Sequence, residues 1–200
     1  MIAIIDYGAG NIFSVKNALD YLGVENKLTA DRNEICAADE IILPGVGAFP
    51  WAMKMLRDSG LVDTIREEAK KKPFLGICLG MQLIFDKGYE FEETDGLRLI
   101  GGKVEKIDRK DMIIPHMGWN ELEINRVCPI LKGLPEHPYV YFVHSYAAVC
   151  DDANVSAYCD YGGKITALVH DGAYVYGAQF HPEKSGEVGL QMLRNFAELA

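Results

Sequence analysis

The sequence predicts an α/β protein with an open, mostly parallel sheet, helices on both faces and an antiparallel, strand-rich C-terminal half. In residues 1–90, short apolar runs alternate with amphipathic helical segments, which is the pattern of parallel βαβ units. From Leu97 onward, short strand-like runs are separated by turn residues, which is typical of hairpins. No linker or repeat interrupts the chain, so we expect residues 1–200 to form a single domain.

The first half contains four segments that predict strands, at residues 2–5, 24–29, 40–43 and 74–77. A helix is expected after the first run, with Asn11 as a possible N-cap, and two more helices are expected over residues 51–71. Open parallel sheets form their sites beyond the carboxyl ends of the strands. The loops after Asp6, Leu43 and Ile77 are therefore expected to lie on one edge.

The second half contains six further predicted strands and a closing helix. The strands are expected at residues 102–107, 119–124, 139–144, 155–161, 164–170 and 174–180. The last three resemble an antiparallel meander, because short turn sequences separate them. The final helix is expected at residues 186–199.

One cysteine lies at a predicted strand-to-helix turn. Cys78 follows the apolar run 74–77 and is flanked by Gly76 and Gly80, and a helix is expected to follow and to stop at Gly88. A sharp turn of this kind presents its side chain at the end of the strand, and the free N–H groups of the next helix favour a thiolate there. The alternative is a buried core cysteine, which is the usual fate of a free thiol.

A cysteine nucleophile needs a base, and the base needs an orienting group. His181 and Glu183 are two residues apart at the end of a predicted strand, so they project to the same side of an extended chain. Glu183 could then hold His181 in the tautomer that accepts the thiol proton. His116 and His144 compete for the same role, and spacing alone does not rank the three histidines.

Composition excludes several classes of protein. Acidic residues outnumber basic ones, 29 to 20, and the net charge of −9 argues against non-specific nucleic-acid binding. No apolar stretch has the length of a membrane span, and the N-terminus does not resemble a signal peptide. The cysteine count is odd and includes no CxxC pair, which argues against a disulfide framework or a zinc site. We therefore expect a cytoplasmic protein that contacts neither membrane nor nucleic acid.

Two motifs together resemble those of the class I glutamine amidotransferase family, the Cys-His-Glu glutaminases. They are GICLGMQ at residues 76–82 and FHPE at residues 180–183. The resemblance implies the fold of that family, with Cys78 as nucleophile, His181 as general base and acid, and Glu183 as the group that orients His181. It calls for no metal and no organic cofactor.

A third motif, PGVGAF at residues 44–49, resembles the oxyanion strand of one branch, where most relatives carry a Pro-Gly-Gly pattern. By this resemblance the backbone N–H groups of Val46 and Leu79 stabilise the oxyanion. The family positions that hold glutamine correspond to Gly47, Gln82, Ser145 and Tyr146. The resemblance also supports a switch at residues 44–47 that keeps the enzyme off until a partner and its ligand are present.

Two more motifs, PHMGWN at residues 115–120 and YFVHSY at residues 141–146, narrow the resemblance to one branch. There, ammonia passes to a separate (β/α)8 cyclase subunit in a heterodimer. The cyclase makes imidazole glycerol phosphate and an aminoimidazole carboxamide ribotide in histidine biosynthesis. The residues expected at that interface are Asn11, Met117, Trp119, Tyr141 and Lys184. For Met117 and Trp119, a place in the core is the alternative.

Two other classes of function remain open at this point. A self-sufficient cysteine hydrolase of the same fold, such as a gamma-glutamyl peptidase, would be fully active without a partner. A partner-binding subunit that no longer catalyses would be inactive in both conditions, although the intact Cys78, His181 and Glu183 argue against it. A glutaminase assay with and without the barrel subunit distinguishes the three.

Overall fold

The computed structural model describes residues 1–199. The first half alternates strands and helices, as predicted. Its elements are β1 (Ile2–Ile5), α1 (Ile12–Tyr21), β2 (Asn26–Thr29), α2 (Arg32–Ala37), β3 (Glu40–Gly45), α3 (Phe49–Asp58), α4 (Val62–Glu68), β4 (Phe74–Cys78) and α5 (Leu79–Leu83).

The second half consists mostly of short strands and ends in one helix. Its elements are β5 (Lys87–Gly88), β6 (Thr94–Asp95), β7 (Gly102–Lys106), β8 (His116–Glu121), β9 (Glu123–Ile124), β10 (Tyr139–His144), β11 (Tyr146–Cys150), β12 (Val155–Asp160), β13 (Lys164–His170), β14 (Val175–Ala178) and α6 (Gly186–Ala197). Single turns of 3-10 helix are found at Pro129–Leu131, Asp152–Asn154 and Pro182–Lys184.

One eight-stranded sheet joins the two halves, in the order β2-β1-β3-β4-β14-β13-β12-β9. The strands from β2 to β14 are parallel, and β14, β13, β12 and β9 pair antiparallel. The meander of the last three long strands is confirmed. Because β14 lies parallel to β4, with Ala178 opposite Ile77, the carboxyl ends of these two strands are neighbours.

Helices cover both faces of this sheet, which confirms the predicted fold class. Ile2 and Ile4 of β1 pack in a core layer with residues of α1 and α6, whereas Ile5 packs in the layer formed by α2, α3 and α4. This alternation follows from the period of two along a strand. No helix within residues 1–199 is long and apolar enough to cross a bilayer.

Most predicted elements agree with the structure to within three residues at each end, and two differ by more. The helix after Cys78 ends at Leu83 instead of continuing to Gly88. The carbonyls that would continue the helix accept hydrogen bonds from a later segment of the chain instead. The Leu97 N–H donates to Leu83 O (2.7 Å), and the Leu99 N–H donates to Ile84 O (2.8 Å). Gly88 belongs to the short strand β5.

The predicted strand at 119–124 is wrong in extent, because it is two strands in two sheets. β8 pairs with β10, and β9 pairs with β12. Between them, Leu122 is buried in the core and its N–H donates to Pro138 O (2.8 Å). The β8–β10 pairing stops at this point, because Pro138 has no N–H to donate in return. The strand β11, which was not predicted, joins β7, β5 and β6 in a third sheet.

Candidate active site

Cys78 ends β4 in a backbone conformation that side-chain-bearing residues rarely adopt, with φ +55° and ψ −111°. The predicted strand-to-helix turn is therefore present. Its neighbours must be small: a Cβ on Gly80 would lie 1.8 Å from Leu43 O, and a Cβ on Gly76 would lie 2.6 Å from Gly80 O. Because α5 has only five residues, a thiolate at Cys78 would be stabilised more by free N–H groups, such as that of Leu79, than by a helix dipole.

The three loops expected on one edge do meet there. The Tyr7 hydroxyl, in the loop after Asp6, donates to Pro44 O (3.2 Å) at the carboxyl end of β3. Gly45 in turn approaches α5 so closely that a Cβ on it would lie 2.7 Å from Gly80 N. The residues whose motif resembles an oxyanion strand follow at once, with Gly47 at φ +100° and the Val46 side chain 44% exposed.

His181 and Glu183 form a buried pair just beyond β14. Glu183 Oε1 lies 2.8 Å from His181 Nδ1, and the two side chains are only 1% and 2% exposed. The opposite ring nitrogen, Nε2, is buried without a hydrogen-bond partner in the described chain. Burial opposes protonation of this ring, but the adjacent Cys78 and Glu183 outweigh it and raise the pKa of His181 to about 9.

The other two candidate histidines are engaged elsewhere. His144 Nδ1 donates to Tyr146 O (2.8 Å), and its Nε2 lies 2.9 Å from His116 Nδ1. His116 Nε2 lies 2.8 Å from Asn120 Oδ1. Burial lowers the pKa of His144 to about 4, so its ring is neutral at physiological pH. With both nitrogens of each ring occupied, the geometry favours His181 as the partner of Cys78.

One cavity of about 380 Å³ brings together eight of the residues predicted for the site. They are Val46, Gly47, Cys78, Leu79, Gln82, Ser145, Tyr146 and His181. Glu183 lies behind His181 and does not line the cavity. The lining also includes Glu90, Pro115, Val143 and His144, for which no site role was predicted except the competing one of His144. Glu90 lies among several acidic residues, and nothing in that stretch of sequence distinguishes it.

A larger groove of about 1070 Å³ lies elsewhere on the surface, beside the exposed Trp51. Its cationic side chains are already paired: Arg57 donates to Asp95 O (2.6 Å), and Arg66 donates to Leu97 O (2.9 Å). It contains neither a cysteine nor a histidine. The chemistry described above is therefore not in this larger groove. Within residues 1–199, no group of three His, Cys, Asp or Glu side chains is placed to hold a metal ion.

The side chains predicted for the partner interface lie outside the core. Met117 is 60% exposed and Trp119 is 53% exposed, so the core alternative is wrong for both. Trp119 lies opposite Tyr141 in the β8–β10 ladder, and the two rings meet edge to face at 6.2 Å. Lys184 is exposed. Asn11 is at the N-cap position of α1, but its side chain accepts from the Ser14 hydroxyl (2.8 Å) and not from a backbone N–H.

Residues 3–199 match the family described as glutamine amidotransferase class-I. The chain belongs to this family. The amidotransferase is 51% identical over 197 residues to the imidazole glycerol phosphate synthase subunit HisH of Bacillus cereus (strain G9842), covering 98% of this chain and 93% of that protein. It is 48% identical over 201 residues to the subunit of the same name from Listeria monocytogenes serotype 4a (strain HCC23), covering 100% and 96%.

These identities place the amidotransferase among the HisH subunits of imidazole glycerol phosphate synthase, an enzyme of histidine biosynthesis. Solved structures share its fold at low sequence identity. A structure titled glutamine amidotransferase has a TM-score of 0.77 at 22% identity, covering 100% of this chain and 98% of that chain. PurLQS from Thermotoga maritima has a TM-score of 0.76 at 21% identity, covering 98% and 96%.

Proposed function

We propose that Cys78 hydrolyses glutamine through a thioester and that the ammonia passes to a (β/α)8 cyclase subunit. The observation that carries this proposal is the shared cavity of Cys78 and His181, where the buried Nε2 of His181 has no other partner and Glu183 holds Nδ1. An activated cysteine nucleophile requires this arrangement of nucleophile, base and orienting carboxylate.

The first half-reaction forms the thioester. His181 takes the thiol proton, the sulfur forms a bond to the side-chain carbonyl carbon of glutamine, and the carbonyl electron pair moves to oxygen. The N–H groups of Leu79 and Val46 stabilise that oxyanion. His181 then gives its proton to the leaving nitrogen, the C–N bond breaks and ammonia departs. The raised pKa of His181 supports the first proton transfer, because the ring beside Cys78 and Glu183 is a stronger base than a free imidazole.

The second half-reaction releases glutamate. With ammonia gone, His181 takes a proton from a water molecule, whose oxygen attacks the thioester carbon. The tetrahedral intermediate uses the same two N–H donors and collapses with cleavage of the C–S bond. The proton on His181 returns to sulfur, and the thiol of Cys78 is restored.

The residues that line the cavity support its assignment as the glutamine-binding site. Gly47, Gln82, Ser145 and Tyr146 are assigned to the substrate by family resemblance, and all four line the cavity. Glu90 is the one carboxylate among the lining residues of the described chain, so it offers an acceptor for the substrate ammonium group. It is already held in place, since its Oε2 accepts from the Phe49 N–H (2.8 Å) at the start of α3.

We assign the cyclase to the outer face of the β8–β10 sheet. Exposed Met117 and Trp119, with Tyr141 beside them, give the aromatic and methionine composition that protein interfaces favour. Exposed Lys184 lies in the turn that packs against β10 and is included by resemblance. Asn11 is included by resemblance, and α1 packs against the turn that carries Lys184. A single domain over residues 1–200 is supported by β14, which ties the second half into the sheet of the first.

A cytoplasmic location is the environment we infer for this enzyme. All five cysteines are free thiols, which suits a reducing compartment. The cyclase proposed to receive the ammonia is also a subunit of a biosynthetic enzyme, and this enzyme must be in the same compartment.

The decisive experiment separates glutamine use from ammonia use. In the complex with the cyclase, Cys78→Ala is expected to abolish glutamine-dependent synthesis and to leave ammonia-dependent synthesis largely intact. Cys36→Ala, which removes an exposed thiol, is the matched control and should retain both activities. Loss of both activities in an intact Cys78→Ala complex contradicts the separation of sites. Full glutaminase activity without the cyclase indicates a self-sufficient hydrolase, and none in either condition indicates a non-catalytic subunit.

A labelling experiment tests the nucleophile directly. A glutamine-analogue electrophile is expected to alkylate Cys78 before any other thiol, because only Cys78 lies beside a base in a cavity. Burial raises the pKa of Cys150 to about 11 and of Cys159 to about 12, which keeps both thiols protonated and unreactive. Mass mapping after limited labelling measures the order. Earlier labelling of Cys36, Cys128, Cys150 or Cys159 contradicts the assignment.

A further inference from the structure

A buried carboxamide beside the nucleophile has no role in the steps above. Gln179 follows β14 directly and is 0% exposed. Its backbone is fixed, since its N–H donates to Ala167 O (2.9 Å). Its side chain reaches between two others: Oε1 accepts from Gln82 Nε2 (3.1 Å), and Nε2 lies 4.0 Å from Cys78 Sγ. Buried polar groups need partners, so the orientation of this amide matters.

The surrounding hydrogen bonds fix which end of the amide faces the sulfur. Gln82 Nε2 also donates to Tyr146 O (3.0 Å), and a backbone carbonyl can only accept. The Gln82 amide is therefore oriented with its nitrogen toward Tyr146 and Gln179. Its second N–H then requires an acceptor, which is Gln179 Oε1. The Gln179 Nε2 group, a donor, is left facing Cys78.

The sulfur consequently has two polar neighbours with opposite preferences. Val143 O, 3.9 Å away, accepts from the thiol and favours the protonated form. The Gln179 N–H points toward the sulfur and favours the anion, because a donor stabilises the charged form of its acceptor. When His181 removes the thiol proton, the first contact loses its hydrogen and the second becomes charge-assisted.

We propose that Gln179 is a further residue of the reaction, a donor that stabilises the Cys78 thiolate and fixes its direction of attack. Gln82 and the Tyr146 carbonyl are the positioning groups that keep its N–H toward the sulfur. This inference rests on the proposed role of Cys78 as nucleophile. The competing explanation is that the Gln179 amide only satisfies hydrogen bonds in the core.

The test is the pH dependence of Cys78 alkylation by iodoacetamide, followed by mass mapping in the full chain assembled with the cyclase. Gln179→Met keeps the length of the side chain and removes the donor, so the pH midpoint of alkylation is expected to rise by roughly 0.5–1 unit. Gln179→Glu keeps the shape, and a carboxylate beside the thiolate should raise the midpoint at least as much. Glutamine turnover should fall about 3–10-fold with little change in KM, since the donor acts on the sulfur and not on the substrate.

Asn195→Leu is the matched control. Asn195 is another buried carboxamide, which donates to Ile130 O (3.0 Å) and Lys132 O (2.7 Å) and does not line the cavity. Its loss should lower thermal stability and leave the alkylation midpoint unchanged. An unchanged midpoint in either Gln179 variant, folded and assembled, overturns the inference. Failure of iodoacetamide to label Cys78 in the unaltered chain is a different result, because it overturns the nucleophile assignment itself.

Discussion

The parallel and antiparallel halves of the large sheet contribute different kinds of group to the same cavity. The parallel half supplies the proposed nucleophile, Cys78, held at a positive φ, and the backbone N–H groups proposed as oxyanion donors, those of Leu79 and Val46. The antiparallel half supplies side chains, His181 and Glu183, whose properties come from burial and pairing. The two sets meet because β14 lies parallel to β4 at the junction of the halves.

This difference predicts how each half responds to substitution. A backbone donor survives any side-chain change that preserves the turn, and it is lost only when the N–H itself is removed. A buried pair such as His181 and Glu183 is sensitive to charge even when the shape is kept, because the charge sets the protonation state of the ring. Substitutions that remove a charge, a backbone N–H or an exposed side chain, in one region at a time, therefore test this difference.

The largest effect is expected for Glu183→Gln. The glutamine side chain has the shape of glutamate but no charge, and it can present an N–H to His181 Nδ1, which selects the wrong tautomer. Partner-stimulated glutaminase turnover should fall roughly 10²–10⁴-fold, the usual contribution of acid–base catalysis. Glu187→Gln, at an exposed carboxylate of α6, is the control and should have normal turnover. A Glu183→Gln complex with normal turnover contradicts the role given to this pair.

The same pair predicts a pH dependence of stability with a definite sign. Folding raises the pKa of His181 from 6.5 to about 9, so the protonated ring stabilises the fold. That contribution is fully present below pH 6.5 and is lost as the pH rises through about 9. Urea unfolding across this range should show the loss in the unaltered chain, and a smaller loss in Glu183→Gln. Cys78 and Glu183 both raise this pKa, so an equal pH dependence in the two proteins contradicts the part assigned to Glu183.

The next largest effect is expected in the parallel half, for Val46→Pro. Proline deletes the proposed oxyanion donor, so partner-stimulated turnover should fall roughly 10²–10³-fold. Val46→Ala keeps the N–H and trims a side chain that is already 44% exposed, so its effect should be much milder. Proline also fixes φ, so folding and cyclase binding of the variant must be verified. A folded, assembled Val46→Pro enzyme with near-normal stimulated turnover would falsify the role of this N–H.

Local patterns were enough to predict much of the fold and the site. Apolar runs bounded by turn residues predicted β1, β10 and β13 at their observed bounds, because the period of a strand is local. The turn at Cys78 was predicted from Gly76 and Gly80, whose contacts leave no room for a Cβ. Eight of the residues that line the cavity were also predicted, most of them because their motifs resemble those of the family.

Features that depend on distant contacts were not predictable. β11 follows β10 after one residue, and only its pairing with β7 in a different sheet makes it a separate strand. Glu90 and Gln179 have no local signal, since their positions depend on Phe49, Gln82 and other residues far away in the chain. The sequence also could not decide whether Trp119 is buried. Side chains alternate between the two faces of its short sheet, and the local pattern does not show which face the rest of the chain covers.

A smaller effect, confined to assembly, is expected on the exposed face of the separate β8–β10 sheet. Trp119→Ala should weaken binding of the cyclase by roughly 10–100-fold, since exposed tryptophans at interfaces are frequent hot spots. Trp51→Ala is the matched control, because Trp51 is 65% exposed on the groove beside α3. Titration calorimetry measures both. Equal weakening by the two variants, or none by Trp119→Ala, contradicts the assignment of the interface.

The smallest effect is expected in the parallel half away from the cavity, where substitutions should change stability alone. Asp31 caps α2: its side chain accepts from the N–H groups of Asn33 (2.7 Å) and Glu34 (3.3 Å). Asp31→Ala should lower the free energy of unfolding by about 1 kcal/mol, and Asp31→Ser should recover most of it, since serine is also a good cap. For a chain of this length, thermal unfolding should then shift by about 2–4 °C. Stimulated turnover at 25 °C should be unchanged in both variants, because α2 contributes no group to the cavity. A loss of turnover in Asp31→Ala that Asp31→Ser does not restore shows that this half acts on the site through more than its backbone donors.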